Sequence, residues 1–506
     1  MDDHYSKLPA ELREAILQFV FDDLGNKAFV NVLCVNKTWH LDGVASLWQQ
    51  VTLRSIWFIY RSQRAMIYLA SIRSLVFGLD DGKYHQEIIS HCGKLTLPHL
   101  QEISFLPGFS FKHISLDYLI PYLQPSLRKF RCAGVPVQLT FLMSLKSACP
   151  ELEGIKVKLQ THMNSATYDP VFADWVSEMS SLRSISLFNT GSGRREDFNN
   201  MRCRIPLDFT LHHLVKRNLR SLELEHRLED IDLLRSSPAF DTLRELSIII
   251  TPESVGRLRD FKILDKLHIY IDGVCSDDLL PSVTSLVNLR SLKIILGVLQ
   301  ELRTEHVMLL KSLSKLRLLE IRTSQKGHID GFASENYLPL TVGPFNEEHF
   351  GQLASALPKI EHLCLIFNWK PISSHVLKTV AFIWPRIQYL ALGYNIDIIE
   401  SVIISHLDGP FLPCLKQFTK VRSYEADVSE DPPTVISDQE VEIERRFDNV
   451  ERATRNLRDA FPALKRVEFK NSRTERGIVA REVRRVWPGN EQQWSRYRLN
   501  WEWDFE

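Results

Sequence analysis

The stretch "NLRSLKII" at residues 288–295 decides the fold. Leu289, Leu292 and Ile294 stand at offsets 0, 3 and 5, with polar Arg290 and Ser291 at offsets 1 and 2. In an extended chain, offsets 3 and 5 point to one face, and offset 0 marks the turn leading into the strand. One such phrase is uninformative, because amphipathic helices produce the same spacing, but an ordered series is not. The phrase returns as "LPHLQEISF", "SLRKFRC", "PELEGIKV", "SLRSISLF", "NLRSLELE", "TLRELSII" and "ILDKLHIY" before it. After it come "KLRLLEIR", "PKIEHLCL", "PRIQYLAL", "CLKQFTKV" and "ALKRVEFK". The anchors are Leu100, Leu127, Leu152, Leu182, Leu219, Leu243, Leu264, Leu289, Leu316, Ile360, Ile387, Leu415 and Leu464, with Ile72 of "SIRSLVF" as an earlier member.

Between phrases lie segments such as "HVMLLKSLSKL" and "HFGQLASALPKI", whose apolar residues recur at three and four, the helix period. The unit is therefore helix, turn, short strand. It cannot bury its apolar face alone, but a stack of such units can. This pattern resembles the leucine-rich repeat, whose signature is L-x-x-L-x-L with a period of roughly 20–29 residues. The resemblance runs from about residue 70 to 470 and implies an α/β solenoid. The family's usual Asn, three positions after the last leucine, occurs as Asn368 and Asn395 but is mostly missing, which implies irregular curvature. Two segments break the period: 323–348, which reads as a loop on one face, and the acidic 423–442, which carries a Pro pair and reads as mobile. The tail 471–506, with four tryptophans, reads as a C-terminal cap.

Ahead of the repeats, "KLPAELREAIL" (7–17) and "CVNKTWHLDGVASLWQQV" (34–51) form a separate problem. Pro9 and Glu11 suit a helix start, and Phe29, Val32, Leu33, Val35 and Trp39 offer a second apolar face. About fifty residues in three short helices make too small a core to be strongly stable alone. Such a segment is either a cap for the repeats or a docking module that completes itself on a partner. Leu8-Pro9-Ala10-Glu11, the pair Ile16-Leu17, Val35-Asn36-Lys37-Thr38-Trp39 and Leu47-Trp48 together resemble an F-box. Asn36 replaces that family's usual Cys.

The two resemblances give the expected organisation: a three-helix F-box over 6–53, an irregular leucine-rich repeat domain over 54–470 with insertions near 323–348 and 423–442, and the cap. They imply the substrate-recognition subunit of an SCF-type ubiquitin ligase. Such a subunit binds the Skp adaptor, and through it a cullin, by its F-box, and holds a target protein on its repeats. The adaptor-binding residues so implied are Leu8, Pro9, Glu11, Ile16, Leu17, Val35, Trp39, Leu47 and Trp48. The alternative is an F-box or repeat scaffold that mediates protein–protein interaction without ubiquitination.

The remaining signals point to binding rather than chemistry. "NTGSGRRED" (189–197) is Gly-rich but lacks the Gly-Lys-Ser/Thr that holds a triphosphate. The adjacent histidines of "LHHL" (211–214) diverge by about 100° on a helix and share no metal face. Neither H-E-x-x-H nor G-x-S-x-G occurs. No catalytic residue, metal or cofactor is expected. Lys plus Arg and Asp plus Glu are both 62, so net charge favours neither nucleic acid nor a membrane. The eight cysteines are scattered without a C-x-x-C, as in reduced thiols of the cytoplasm or nucleus. Within each phrase, offsets 2, 4 and 6 point away from the core, toward the concave side. From these, Lys156, Phe188, His268, Tyr270, Lys293, Arg322 and Tyr389 are the candidate contacts for the target.

Overall fold

Each of the thirteen phrases, and Ile72 before them, leads into a β-strand in the computed structural model. The structure describes residues 7–13, 15–17, 20, 31–78, 84–85, 87–88, 96–105, 116–159, 172, 174–189, 218–228, 241–271, 273–274, 276–297, 301–324, 337–338, 340–368, 374–393, 414, 417–421 and 466–470. At some strand ends and in the last two strands only the backbone is described. The segment 423–442 and the tail 471–506 lie outside the described residues.

Two compact units divide the chain, residues 1–226 with 232–245 and residues 227–231 with 246–506. In the first, β1 (Gln50–Thr52), β2 (Ser74–Phe77), β3 (Glu102–Phe105), β4 (Lys129–Val137), β5 (Gly154–Leu159), β6 (Ser184–Asn189) and β7 (Ser221–Leu228) pair in parallel, each with the next in sequence. The ladder thus begins inside the stretch assigned to the N-terminal helices. In the second unit the strands are β8 (Glu245–Ile250), β9 (Lys266–Ile271), β10 (Ser291–Leu296), β11 (Glu301–Leu302), β12 (Leu318–Ser324), β13 (Tyr337–Leu338), β14 (Leu340–Val342), β15 (His362–Leu365), β16 (Phe367–Asn368), β17 (Tyr389–Gly393), β18 (Gln417–Val421) and β19 (Arg466–Lys470). Its main sheet runs β8-β9-β10-β12-β15-β17-β18-β19, and β11, β14 and β16 form a small parallel sheet of their own. Strand order that advances in one direction along the sequence, with helical or turn segments returning the chain between main-sheet strands, is an α/β repeat fold.

Hydrogen bonds explain the pattern. The anchor amide turns the chain by bonding three residues back, as from Leu127 to the Gln124 carbonyl (3.0 Å) and from Leu316 to that of Leu313 (3.0 Å). The next two amides then both reach one carbonyl of the preceding repeat, as Arg128 and Lys129 reach Gln101 (2.8 Å each). All twelve described anchors are at most 2% exposed, which for an aliphatic side chain is worth roughly 1.5–3 kcal/mol each. Side-chain donors also tie neighbouring turns together. Ser126 and Thr242 hydroxyls donate to the Leu100 and Leu219 carbonyls (2.9 Å each), and the buried indoles of Trp175 and Trp384 donate to Leu142 and Leu357 (2.7 Å each).

The return segments are α-helical at 53–59, 65–71, 139–148, 279–284, 304–308, 347–356 and 374–383, and 3₁₀ at 116–122, 252–260 and 309–312. The segment 323–348 departs from the expected loop. Residues 325–336 lie outside the described residues, but β13 pairs antiparallel with the end of β12, β14 joins the small sheet, and Asn346 closes a capping box with His349. Those interactions use backbone amides and a cap, which hydropathy patterning does not register.

Candidate protein-docking surfaces

Two surfaces carry the residues singled out from the sequence. The first is the N-terminal helical module. Helical backbone starts at Ala10, and the Pro9 carbonyl accepts the amides of Leu12 and Arg13 (3.1 Å each), so Pro9 is a cap rather than a first-turn residue. Asn36 caps helix Lys37–Trp48 by accepting the Trp39 amide at 3.0 Å, a job that a Cys at this position would do poorly. Arg13 binds Asp42 at 2.7 Å and the Leu8 carbonyl at 2.8 Å, tying the two segments together.

These restraints sort the F-box-like residues into two sets. Leu17 and Leu33 are buried, and Leu8, Val20, Val32, Trp39 and Leu47 pack against them as a small core of their own. Trp48 instead packs against Tyr68 of helix Ala65–Ser71, ring centroids 5.4 Å apart and planes tilted by 31°, docking the module on the first repeat. Pro9 and Glu11 are exposed, Ile16 is 37% exposed and Val35 63%. Sequence reading missed Leu12 (52% exposed) and Leu41 (53%), since in a helix with apolar residues on several sides spacing alone does not say which side is covered. Leu12 and Ile16, four apart, share one face.

The second surface is the face of the parallel sheet turned away from the helices. In the first unit Lys156 reaches Glu223, two strands along, at 3.2 Å, and the Ser186 hydroxyl donates to the same carboxylate. The backbone of Phe188 is in β6, but its side chain lies outside the described residues.

In the second unit the register sets His268, Lys293, Glu320 and Cys364 side by side on β9, β10, β12 and β15. Glu320 is the hub. Its carboxylate takes Arg322 Nε at 2.7 Å and Lys293 Nζ at 3.2 Å. Its pKa stays below the usual carboxylate value because these two cations outweigh the cost of burial. Arg322, expected as an exposed contact outside the core, is only 4% exposed and is held in this cluster. Alternation within a strand identifies the side that a residue faces but not whether that side is covered. His268 lies 3.3 Å from Ser291 Oγ, and Tyr270 is half-buried beside Gly297. A Cβ on Gly297 would stand 2.7 Å from the Tyr270 hydroxyl, so glycine there leaves room for the phenol. Tyr389 stacks on His362 with centroids 4.0 Å apart.

Burial brings the His362 imidazole from 6.5 down to about 4, opposed by the Glu320 carboxylate and reinforced by the Lys293 ammonium. The folded protein thus holds His362 neutral where the unfolded chain protonates it. The stability from this group is complete above 6.5 and is lost as pH falls toward 4. From about pH 7 to about pH 5, the urea midpoint of the wild type should fall more than that of His362→Asn. Equal falls would contradict a buried neutral imidazole.

The described thiols show no paired geometry; Cys132, Cys149 and Cys364 are buried, and burial pushes Cys149 up to about 12. No helix among the described residues is long and apolar enough to cross a membrane.

No family model and no curated protein matches the sequence. Among solved structures, the chain is similar to one from the yeast Rad7 and Elc1 complex, at 14% identity over 76% of this chain and 94% of that one, with TM-score 0.43. It is also similar to the plant peptide hormone receptor RGFR1 in complex with RGF2 (13%, 71% and 54%, TM-score 0.29). A third is the leucine-rich repeat-containing protein LegL7 from Legionella pneumophila (11%, 82% and 97%, TM-score 0.25). The strand order and register, rather than these distant likenesses, define the α/β repeat fold with its long parallel sheets.

Proposed function

We propose that this protein is a non-catalytic receptor subunit of an SCF-type ubiquitin ligase. In this reading the N-terminal helices hold the Skp adaptor, the adaptor links the chain to a cullin, and the sheet face turned away from the helices holds the protein to be ubiquitinated. The observation that carries the proposal is the division of the F-box-like residues. Leu8, Leu17, Trp39 and Leu47 close a small core, while Leu12, Ile16, Val35 and Leu41 leave apolar surface uncovered on the same module. A cap serving only the repeats would turn its apolar residues toward them. A module this small that keeps several large apolar side chains in water is built to be completed by another chain.

The test is affinity purification from cells of the full chain beside a version lacking residues 1–48, which keeps β1 and so leaves the sheet's first strand in place. The expected result is that the full chain recovers the Skp adaptor and a cullin and the shortened chain recovers neither. Recovery of the same partners by both would favour a repeat scaffold that acts without ubiquitination.

A further inference from the structure

The stretch from residue 43 to residue 79 contains no Asp or Glu, although acidic and basic residues balance over the whole chain. Its charged residues are Arg54, Arg61, Arg64 and Arg73, all exposed. The same stretch folds into helices Leu53–Ile59 and Ala65–Ser71, which pack against each other. Leu53, Ile56 and Ile59 turn inward, so Arg54 and Phe58, four apart, share the outward face. Phe58 is 56% exposed, Met66 76% and Ile67 54%. Single exposed apolar residues are ordinary, whereas three on two adjacent helices among arginines make a mixed basic and apolar patch.

This patch continues the N-terminal module. His40 lies 3.2 Å from the Arg64 guanidinium, and Trp48 packs against Tyr68, so helix Lys37–Trp48, which bears exposed Leu41, is fixed against helix Ala65–Ser71. Aromatic packing also orders the border. The Arg61 guanidinium lies over the Trp57 ring at 3.9 Å, Phe58 meets that ring edge-on at 4.7 Å, and the indole N–H donates to the Glu87 carboxylate.

We propose that the outward faces of helices Leu53–Ile59 and Ala65–Ser71 extend the adaptor interface beyond the F-box-like segment, receiving an acidic, amphipathic strip of the adaptor. The inference rests on the adaptor reading above. Its chemistry is charge complementarity: Arg61 already faces the Glu87 carboxylate at 3.9 Å, while the guanidinium groups of Arg54 and Arg64, with no acidic residue in their own stretch, favour carboxylates, and Phe58, Met66 and Ile67 supply the apolar anchors. An anionic bilayer is the weaker fit. The helices are seven residues each, and Glu87 stands at the border, where a bilayer would strip its water while a protein partner leaves it at a wet rim.

The test measures the affinity of the purified full chain for the purified Skp adaptor at two salt concentrations. Met66→Ser with Ile67→Ser should weaken binding about tenfold or more without shifting the melting temperature, because both side chains are exposed. Arg54→Gln with Arg64→Gln should flatten the dependence of Kd on salt. Wild-type binding that neither pair alters would overturn the extension and leave the adaptor reading standing. A wild type that does not bind the adaptor would overturn both. Binding to phosphatidylcholine–phosphatidylserine vesicles that these pairs abolish, with adaptor affinity unchanged, would reassign the patch to a membrane.

Discussion

Replacing Glu320 by alanine is expected to destabilise the second unit by about 3–5 kcal/mol, far beyond an ordinary surface substitution. Glu320 is 7% exposed, and its carboxylate is the shared partner of Arg322, 4% exposed, and of Lys293. Removing it takes away the carboxylate that a buried guanidinium and a half-buried ammonium share. The cost therefore comes mostly from desolvated cations that lose their shared carboxylate and only in small part from the lost contact. Two further variants separate these causes. Glu320→Gln keeps the shape and an acceptor but not the charge, so it should fall between wild type and alanine. Glu320→Met with Arg322→Met removes both ions together and should restore most of the stability, since a buried pair replaced by apolar groups of similar volume is often neutral. Urea unfolding monitored in the second unit gives the comparison. A loss below about 1 kcal/mol in Glu320→Ala would mean that water reaches the cluster and that Arg322 is not held as described.

Arg322 also shows where the sequence runs out. The L-x-x-L-x-L anchors were legible because they report a local necessity: a residue at the turn must be apolar to bury, and it does so at each of the described anchors. Leu127, Leu152 and Leu289 are all fully buried for that reason. The offsets correctly put His268, Lys293 and Glu320 on neighbouring strands, because parallel pairing in register follows from the repeat. Coverage of that face was not legible. It depends on what the rest of the chain lays over the sheet, and no periodicity within β12 carries that information. The short strands β11, β13, β14 and β16 were illegible for a related reason: each has two or three residues, too few for alternation to emerge. In the N-terminal module the order of the F-box-like residues was legible, but the split between core and surface was not. Leu12 and Leu41 read as ordinary helix residues, and only the packing of Leu17 and Leu33 shows that they face outward.

The second large effect concerns that outward face. Leu12 and Ile16 are exposed and share one side of their helix, so replacing both by serine should leave the small core around Leu17 and Leu33 intact. Leu8, by contrast, packs on that core, and its truncation would confuse unfolding with lost binding. An apolar anchor buried at an interface commonly contributes about 2 kcal/mol when truncated, and two of them together should weaken binding about a hundredfold or more. The decisive measurement is the calorimetric Kd of the purified full chain for the purified Skp adaptor, taken for the wild type and for Leu12→Ser with Ile16→Ser. The wild type should bind, and the double variant, with unchanged circular dichroism and melting temperature, should bind at least about a hundredfold more weakly. A wild type that fails to bind, or a folded double variant that binds equally well, would contradict adaptor docking on the N-terminal module.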